Sequence, residues 1–381
     1  MKPDASPAFH RYALVLAGMT VILIWWGAAV TTTQAGMAFS DWPLSFGSIN
    51  PPGWLKILPY FLEHSHRLIA ATVGLLTLGA FVWQFARTPR AILEIVALVI
   101  LLALVTGFAG VAGAERTEPA RKALFFKATL VSGLVPVGWL AWSWWRRGWP
   151  LLTRLTALAL IVVTAQAILG GLRVTEVSDR FGIVHGCVGQ FFFCVVLFLA
   201  RASSPGWEKP DSLDPAVAGP ARRLSAMLAA AVFVQLILGA TMRHLHRAGL
   251  PDTGLFRTRG QWIPGFEPVE VGMIFLHKTW ALVVFGLGIG LAAWLWTRRE
   301  VAVGPLRHAL AIAGLLTLQI ALGVGVILTG SPEHKKFWVT NFHVINGLAI
   351  LGLAFLLAVR CRRATRRRTL LAEESAAGPG G

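Results

Sequence analysis

Gln166-Ala167-Ile168-Leu169-Gly170 decides how this chain folds, because the phrase returns. It stands again as Gln235-Leu236-Ile237-Leu238-Gly239 and as Gln319-Ile320-Ala321-Leu322-Gly323, with a degenerate earlier copy, Leu23-Ile24-Trp25-Trp26-Gly27. Each copy lies late in a long apolar run. The next such run to carry a histidine near its start gives His66 after Gly27, His185 after Gly170, His277 after Gly239 and His343 after Gly323. The gaps alternate long, short, long, short. That alternation points to a duplicated four-helix unit. Because each unit has an even number of helices, the copies are expected to run parallel, related by an axis along the membrane normal.

The apolar runs cover about 12–33, 62–86, 91–113, 122–145, 151–172, 181–201, 222–243, 271–296, 306–329 and 338–360. A helix needs about 20 apolar residues to cross a bilayer, and each run is of that order. The bilayer core offers the backbone no hydrogen-bond partner, so the runs must be helices; barrel strands would be about half as long and would alternate. Of the 381 residues, 55% are hydrophobic and only 14% charged, against roughly 25% in soluble domains. The fold class is therefore an all-α polytopic membrane protein of about ten transmembrane helices. It consists of two pseudo-repeated four-helix bundles plus an inserted helix pair. The pair, at about 91–145, carries neither the phrase nor a histidine. The expected domains are 1–221, holding the insertion, and 222–381, ending in a basic tail.

The net charge of +17 invites a nucleic-acid partner, but its distribution argues against one. Arg87 and Arg90, Arg146, Arg147 and Arg154, Arg201, Lys209, Arg222 and Arg223, and Arg298, Arg299 and Arg307 mark every second loop, and Arg360 to Arg368 mark the tail. The intervening loops mix signs, with Glu115, Arg116 and Glu118 in one and Arg173, Glu176, Asp179 and Arg180 in another. This is the positive-inside pattern, and it predicts that both termini are cytoplasmic. The short N-terminus resembles neither a transit peptide nor a cleavable signal, which favours a bacterial plasma membrane. Cys187, Cys194 and Cys361 all fall within or at the inner end of helices, so no disulfide and no cysteine-based metal site is expected.

The four histidines share a predicted depth near the outer face. Ionisable residues within a membrane are costly and mark function. Paired imidazoles from facing helices suit the two axial positions of a heme iron. His66 and His185 would serve one heme, His277 and His343 a second. No carboxylate or thiolate set accompanies them to make a zinc or copper site. Phe191, Phe192, Phe193, Phe275 and Trp280 supply apolar surface for a porphyrin plate or for lipid. A cation follows the first histidine of each unit, Arg67 after His66 and Lys278 after His277. Each either neutralises a propionate or snorkels to the interface. Arg173 and Arg243 are further propionate candidates. The units differ at one place. Glu63 lies one turn outward from His66, where the second unit has Ile274. A carboxylate beside one heme only implies two different jobs, with Glu63 as proton carrier or charge stabiliser. His64 points elsewhere, and His10, His244, His246, His308 and His334 are read as ordinary surface residues.

Glu63-His64-Ser65-His66-Arg67 resembles the Glu-x-x-His-Arg signature of the heme A synthase family. Asp41-Trp42-Pro43-Leu44 is similar to that family's Asp-Trp-Pro segment. Gly170 to Thr175 followed by Val184 to Gln190 resembles its third and fourth helices, and Asn341-Phe342-His343 its last histidine helix. The resemblance implies oxidation of the heme O methyl group at porphyrin position C8 to a formyl group, giving heme A for cytochrome oxidase. It implies that His66 and His185 hold substrate heme O with Glu63 catalytic, and that His277 and His343 hold heme b. Expected partners are a heme O synthase, the cytochrome oxidase assembly route, an unidentified electron donor, membrane lipid and a second copy of the chain. Two departures stand out: members usually have eight helices, and many bacterial ones carry paired outer-loop cysteines that this chain lacks. Two other functions share the histidines. A diheme b-type electron-transfer protein typically places two ligands on one helix at opposite depths, unlike this chain. A heme carrier has little need of Glu63.

Overall fold

The computed structural model describes residues 5–86, 89–113, 118–209, 211, 213–245, 254–300, 302–329 and 337–376. Among them are ten helices long and apolar enough to cross a membrane, and no β-sheet. The chain is a multi-pass, all-α membrane protein. Arg87, Glu115, Arg116, His246 and His334 lie outside the described residues.

The helices start where local chemistry allows. α1 (Pro7–Thr32) is capped by Ser6, whose hydroxyl accepts from the Phe9 amide at 3.2 Å, and proline opens its first turn. Proline also opens α2 (Leu58–Phe85), α3 (Pro89–Ala112) and α4 (Pro119–Arg147), and Gly148 ends α4 at φ 55°. α5 is Leu151–Thr175. α6 (Asp179–Ala202) is capped by Ser178 and has Asp179 at its positive end. The remaining helices are α7 (Pro215–Leu245), α8 (Val269–Trp296), α9 (Val303–Thr329) and α10 (Phe337–Ala376). α7 begins before the expected residue 222, and α10 continues past 360 because its basic tail is built of good helix formers with no glycine or proline until residue 378.

The chain divides into two compact units, Met1–Ser204 and Pro205–Gly381. In the first, α1 packs on α2 and α6, and α5 packs on α2 and α6. In the second, α7 packs on α8 and α10, and α9 packs on α8 and α10. Each unit is thus a closed ring of four helices in the same chain order. Within each ring, the two histidine helices (α2 and α6, or α8 and α10) stand on one diagonal. The two glycine-phrase helices stand on the other.

The inserted pair lies outside the first ring, where α3 and α4 pack on each other and on α5. An apolar core at one end joins Phe81 and Phe85 of α2, Ile95 and Leu98 of α3, Leu140 of α4 and Leu160 of α5. Trp149, between α4 and α5, completes it. Beside it, Arg147 donates to both oxygens of Glu94 at 2.8 and 2.7 Å, tying α4 to α3. Residues 205–221, assigned to the first unit by the sequence, include two that engage the second unit's α10. Asp211 pairs with Arg360 (2.7 Å from Nη2), and Trp207 lies under the Arg363 guanidinium at 3.4 Å.

Candidate functional site

The glycine ending each phrase faces the histidine of the following ring helix. A Cβ built on Gly27 would lie 3.0 Å from His66, on Gly170 3.1 Å from His185, on Gly239 3.0 Å from His277 and on Gly323 3.3 Å from His343. In all four the atom met is the imidazole Cε1. A side chain there would push the ring by a few tenths of an ångström, so glycine lets it lie in place.

The glutamine one turn earlier holds the same helix. Gln235 Nε2 donates to the His277 carbonyl and Gln319 Nε2 to the His343 carbonyl, each at 3.0 Å. His185 Nδ1 donates to the Gln166 backbone carbonyl at 3.1 Å, which leaves Nε2 as the free lone pair. The degenerate first copy has no glutamine. There the Trp26 indole donates to Ser65 Oγ at 2.7 Å and to the Leu62 carbonyl at 3.2 Å.

In the second unit the His277 and His343 rings stand 6.5 Å apart between centres, at 63°. Two metal–nitrogen bonds of about 2 Å, with each ring centre about 1 Å behind its nitrogen, span about 6 Å, so the separation suits one metal ion between the rings. His66 Nδ1 and His343 Nδ1 are buried with no hydrogen-bond partner among the described residues.

Every side chain from Glu63 to Arg67 has a defined task. Glu63 is 3% exposed; its Oε2 accepts from the Ala38 amide at 2.7 Å and the Phe39 amide at 3.3 Å, and its Oε1 accepts from Arg67 at 2.5 Å. Arg67 Nη1 donates to the carbonyls of Asp41 (2.7 Å) and Leu44 (2.5 Å). His64, 4% exposed, hydrogen-bonds Ser45 at 3.0 Å and packs on Trp54 at 4.7 Å. Ser65 meets Trp26, and His66 faces Gly27. The cation and acid of this stretch therefore hold the α1–α2 loop.

The second unit repeats the device in simpler form. Lys278 donates to the carbonyls of Gly254 (2.7 Å) and Arg257 (3.3 Å) in the α7–α8 loop. Both loops carry a two-residue turn with left-handed central residues, Phe46-Gly47 between Ser45 and Ser48, and Arg259-Gly260 between Thr258 and Gln261. Asp41 closes the first by accepting from the Phe46 and Gly47 amides at 2.8 and 2.7 Å.

The other candidates fall as follows. Arg173, in the last turn of α5, lies against Gly36, where a Cβ would meet its Nη2 at 2.9 Å, and Arg243 stands in the last turn of α7. His308, expected at the surface, is half-buried and bonded to Arg360 at 3.1 Å. Phe192 and Phe193 are buried, whereas Phe191 is exposed.

Residues 127–355 match the model of a family described as cytochrome oxidase assembly protein, COX15-CtaA. The chain belongs to that family. The region of the family match takes in His185, His277 and His343 with their glycines, while Glu63, His66 and Arg67 precede it. Three similar proteins are each named "Heme A synthase". The one from Shouchella clausii (strain KSM-K16) is 25% identical over 320 residues, covering 82% of this chain and 84% of its own. Those from Beijerinckia indica subsp. indica and Bartonella quintana (strain Toulouse) are 22% and 23% identical, covering 91% and 92% of this chain and 90% and 88% of their own.

Proposed function

We propose that the chain is a heme A synthase, oxidising the C8 methyl group of heme O to a formyl group by successive hydroxylation and so supplying heme A for cytochrome oxidase. The observation that carries this is the histidine cradle, two diagonal imidazoles per ring, each set against a bare glycine. Two imidazoles leave most of an ion's positions open. Among the described residues no group of three His, Cys, Asp or Glu is arranged to fill them. A porphyrin fills four in one plane, and the residues fit it. The bound heme supplies the redox chemistry.

His66 and His185 hold heme O in the first unit, and His277 and His343 hold heme b in the second. The difference between units supports this division. Glu63 places a buried carboxylate one turn from His66, where the second unit has buried Ile274. We assign Glu63 to the reaction, where its charge fixes Arg67 and the loop beside the substrate. Arg173 and Arg243, in the last turns of α5 and α7, are candidates for the propionates beside Arg67 and Lys278. The histidine ends face outward from a bacterial plasma membrane with both chain termini inside. A heme O synthase supplies the substrate, and the oxidation of methyl to formyl draws on an oxidant and an electron donor that both come from outside the chain.

The test is extraction and chromatography of the hemes from protein purified after expression with a heme O synthase. Heme b together with heme O and heme A is the expected result. Heme b alone, with heme O available, would make the chain a diheme electron carrier.

A further inference from the structure

Building on the heme A synthase reading, we propose that the inserted pair α3–α4 is a brace that positions the α1–α2 loop over the first unit's histidine pair and so sets how tightly heme O is held. The observations all lie at the histidine end of that unit. A Cβ on Gly110 of α3 would meet Pro43 of the loop at 3.0 Å and the Trp42 carbonyl at 3.7 Å. The Trp42 ring in turn covers Gly171 of α5, where a Cβ would lie 2.5 to 2.9 Å from its atoms. Gly171 adjoins Gly170, the residue that faces His185. A contact chain therefore runs from α3 through Pro43 and Trp42 to the glycine wall of the site.

Two further contacts fix α3 and α4 at this end. A Cβ on Gly113 would lie 2.6 Å from Thr175, the last residue of α5. Lys122 of α4 pairs with Glu176 at 2.7 Å. That pair is half-exposed and contributes little by itself. The close backbone approach at Gly110 and Gly113 does the positioning. From the other side, Glu63, His64 and Arg67 of α2 grip the same loop. Helices that merely filled lipid-facing surface would have no reason to touch the loop.

Gly107 lies on the same helix with open space before it, so Gly107→Leu is a matched control. Gly110→Leu pushes on Pro43. Pro43→Ala removes the loop's side of the contact and leaves α3 intact. The first readout is hydrogen exchange of residues 38–48 in purified protein, which needs no turnover. Gly110→Leu and Pro43→Ala should raise it about tenfold over wild type and Gly107→Leu should not. The second readout is kinetic, with KM for heme O raised about fivefold and kcat held within about twofold.

Exchange in both variants matching Gly107→Leu overturns the brace. If Gly110→Leu does not accumulate, Gly110→Ala, whose methyl would meet Pro43 at 3.0 Å, decides in its place. If the wild-type protein makes no heme A, the synthase reading falls, and the exchange comparison still decides whether the insertion holds the loop.

Discussion

Glu63 and Arg67 meet at 2.5 Å one turn apart on α2, and each also grips a different part of the same loop. Removing the carboxylate takes the acidic partner from a guanidinium that is 14% exposed and leaves two backbone amides without their acceptor. Glu63→Ala should cost about 3 kcal/mol of thermal stability, and the double variant Glu63→Ala/Arg67→Ala should cost less than the sum of the singles. Heme A formation by Glu63→Ala should fall at least about 100-fold while heme b stays bound. A normal rate of heme A formation would remove Glu63 from the reaction.

The glycine wall gives a graded series. Alanine at Gly27 or Gly239 puts a methyl 3.0 Å from an imidazole, and at Gly323 3.3 Å. Gly239→Ala should therefore lose more of the second unit's heme than Gly323→Ala, read as heme per protein by absorbance. Equal occupancy in both variants would mean that the rings shift without cost.

Gln235 and Gln319 act on both the backbone and the ring of their histidines, with Nε2 of Gln235 3.1 Å from His277 Nδ1 and Nε2 of Gln319 3.2 Å from His343 Nε2. Replacing either with leucine keeps the size but removes the donor to the carbonyl at 3.0 Å. Partners that orient a ligand typically contribute 10- to 100-fold in affinity, so heme b titration should weaken by about 10-fold in each.

The two kinds of cation should separate. Lys278→Ala should speed hydrogen exchange in residues 254–261 and leave heme content unchanged, because its donors hold the loop. Arg243→Ala should lower heme b affinity and leave that loop's exchange unchanged. The reverse pattern would exchange their roles.

The ring of helices was legible because membrane insertion forces apolar runs into helices, and the duplicated phrase marks equivalent turns. Gly27, Gly170, Gly239 and Gly323 stood out as repeats before their reason was visible. The contact with Cε1 depends on helix rotation, which spacing alone does not give. The roles of Arg67 and Lys278 were hidden for a different reason. Their acceptors are backbone carbonyls, which any residue supplies, so no side-chain pattern announces them. The turns did leave a trace, Phe46-Gly47 and Arg259-Gly260, but glycine is too common in this chain for the pair to be read as a repeat. His64 was correctly set apart from His66 by its two-residue offset. Its burial against Ser45 and Trp54 follows only once the loop is folded over it.

Each bare glycine touches the histidine of its own hairpin partner, never one from across the ring. A half-site is therefore complete within two consecutive passes of the chain, α1–α2, α5–α6, α7–α8 or α9–α10. This makes the hairpin the unit that assembles each half-site. The modular joint also explains where extra sequence was tolerated. α3 and α4 enter between two finished half-sites, where new helices separate neither glycine from its histidine.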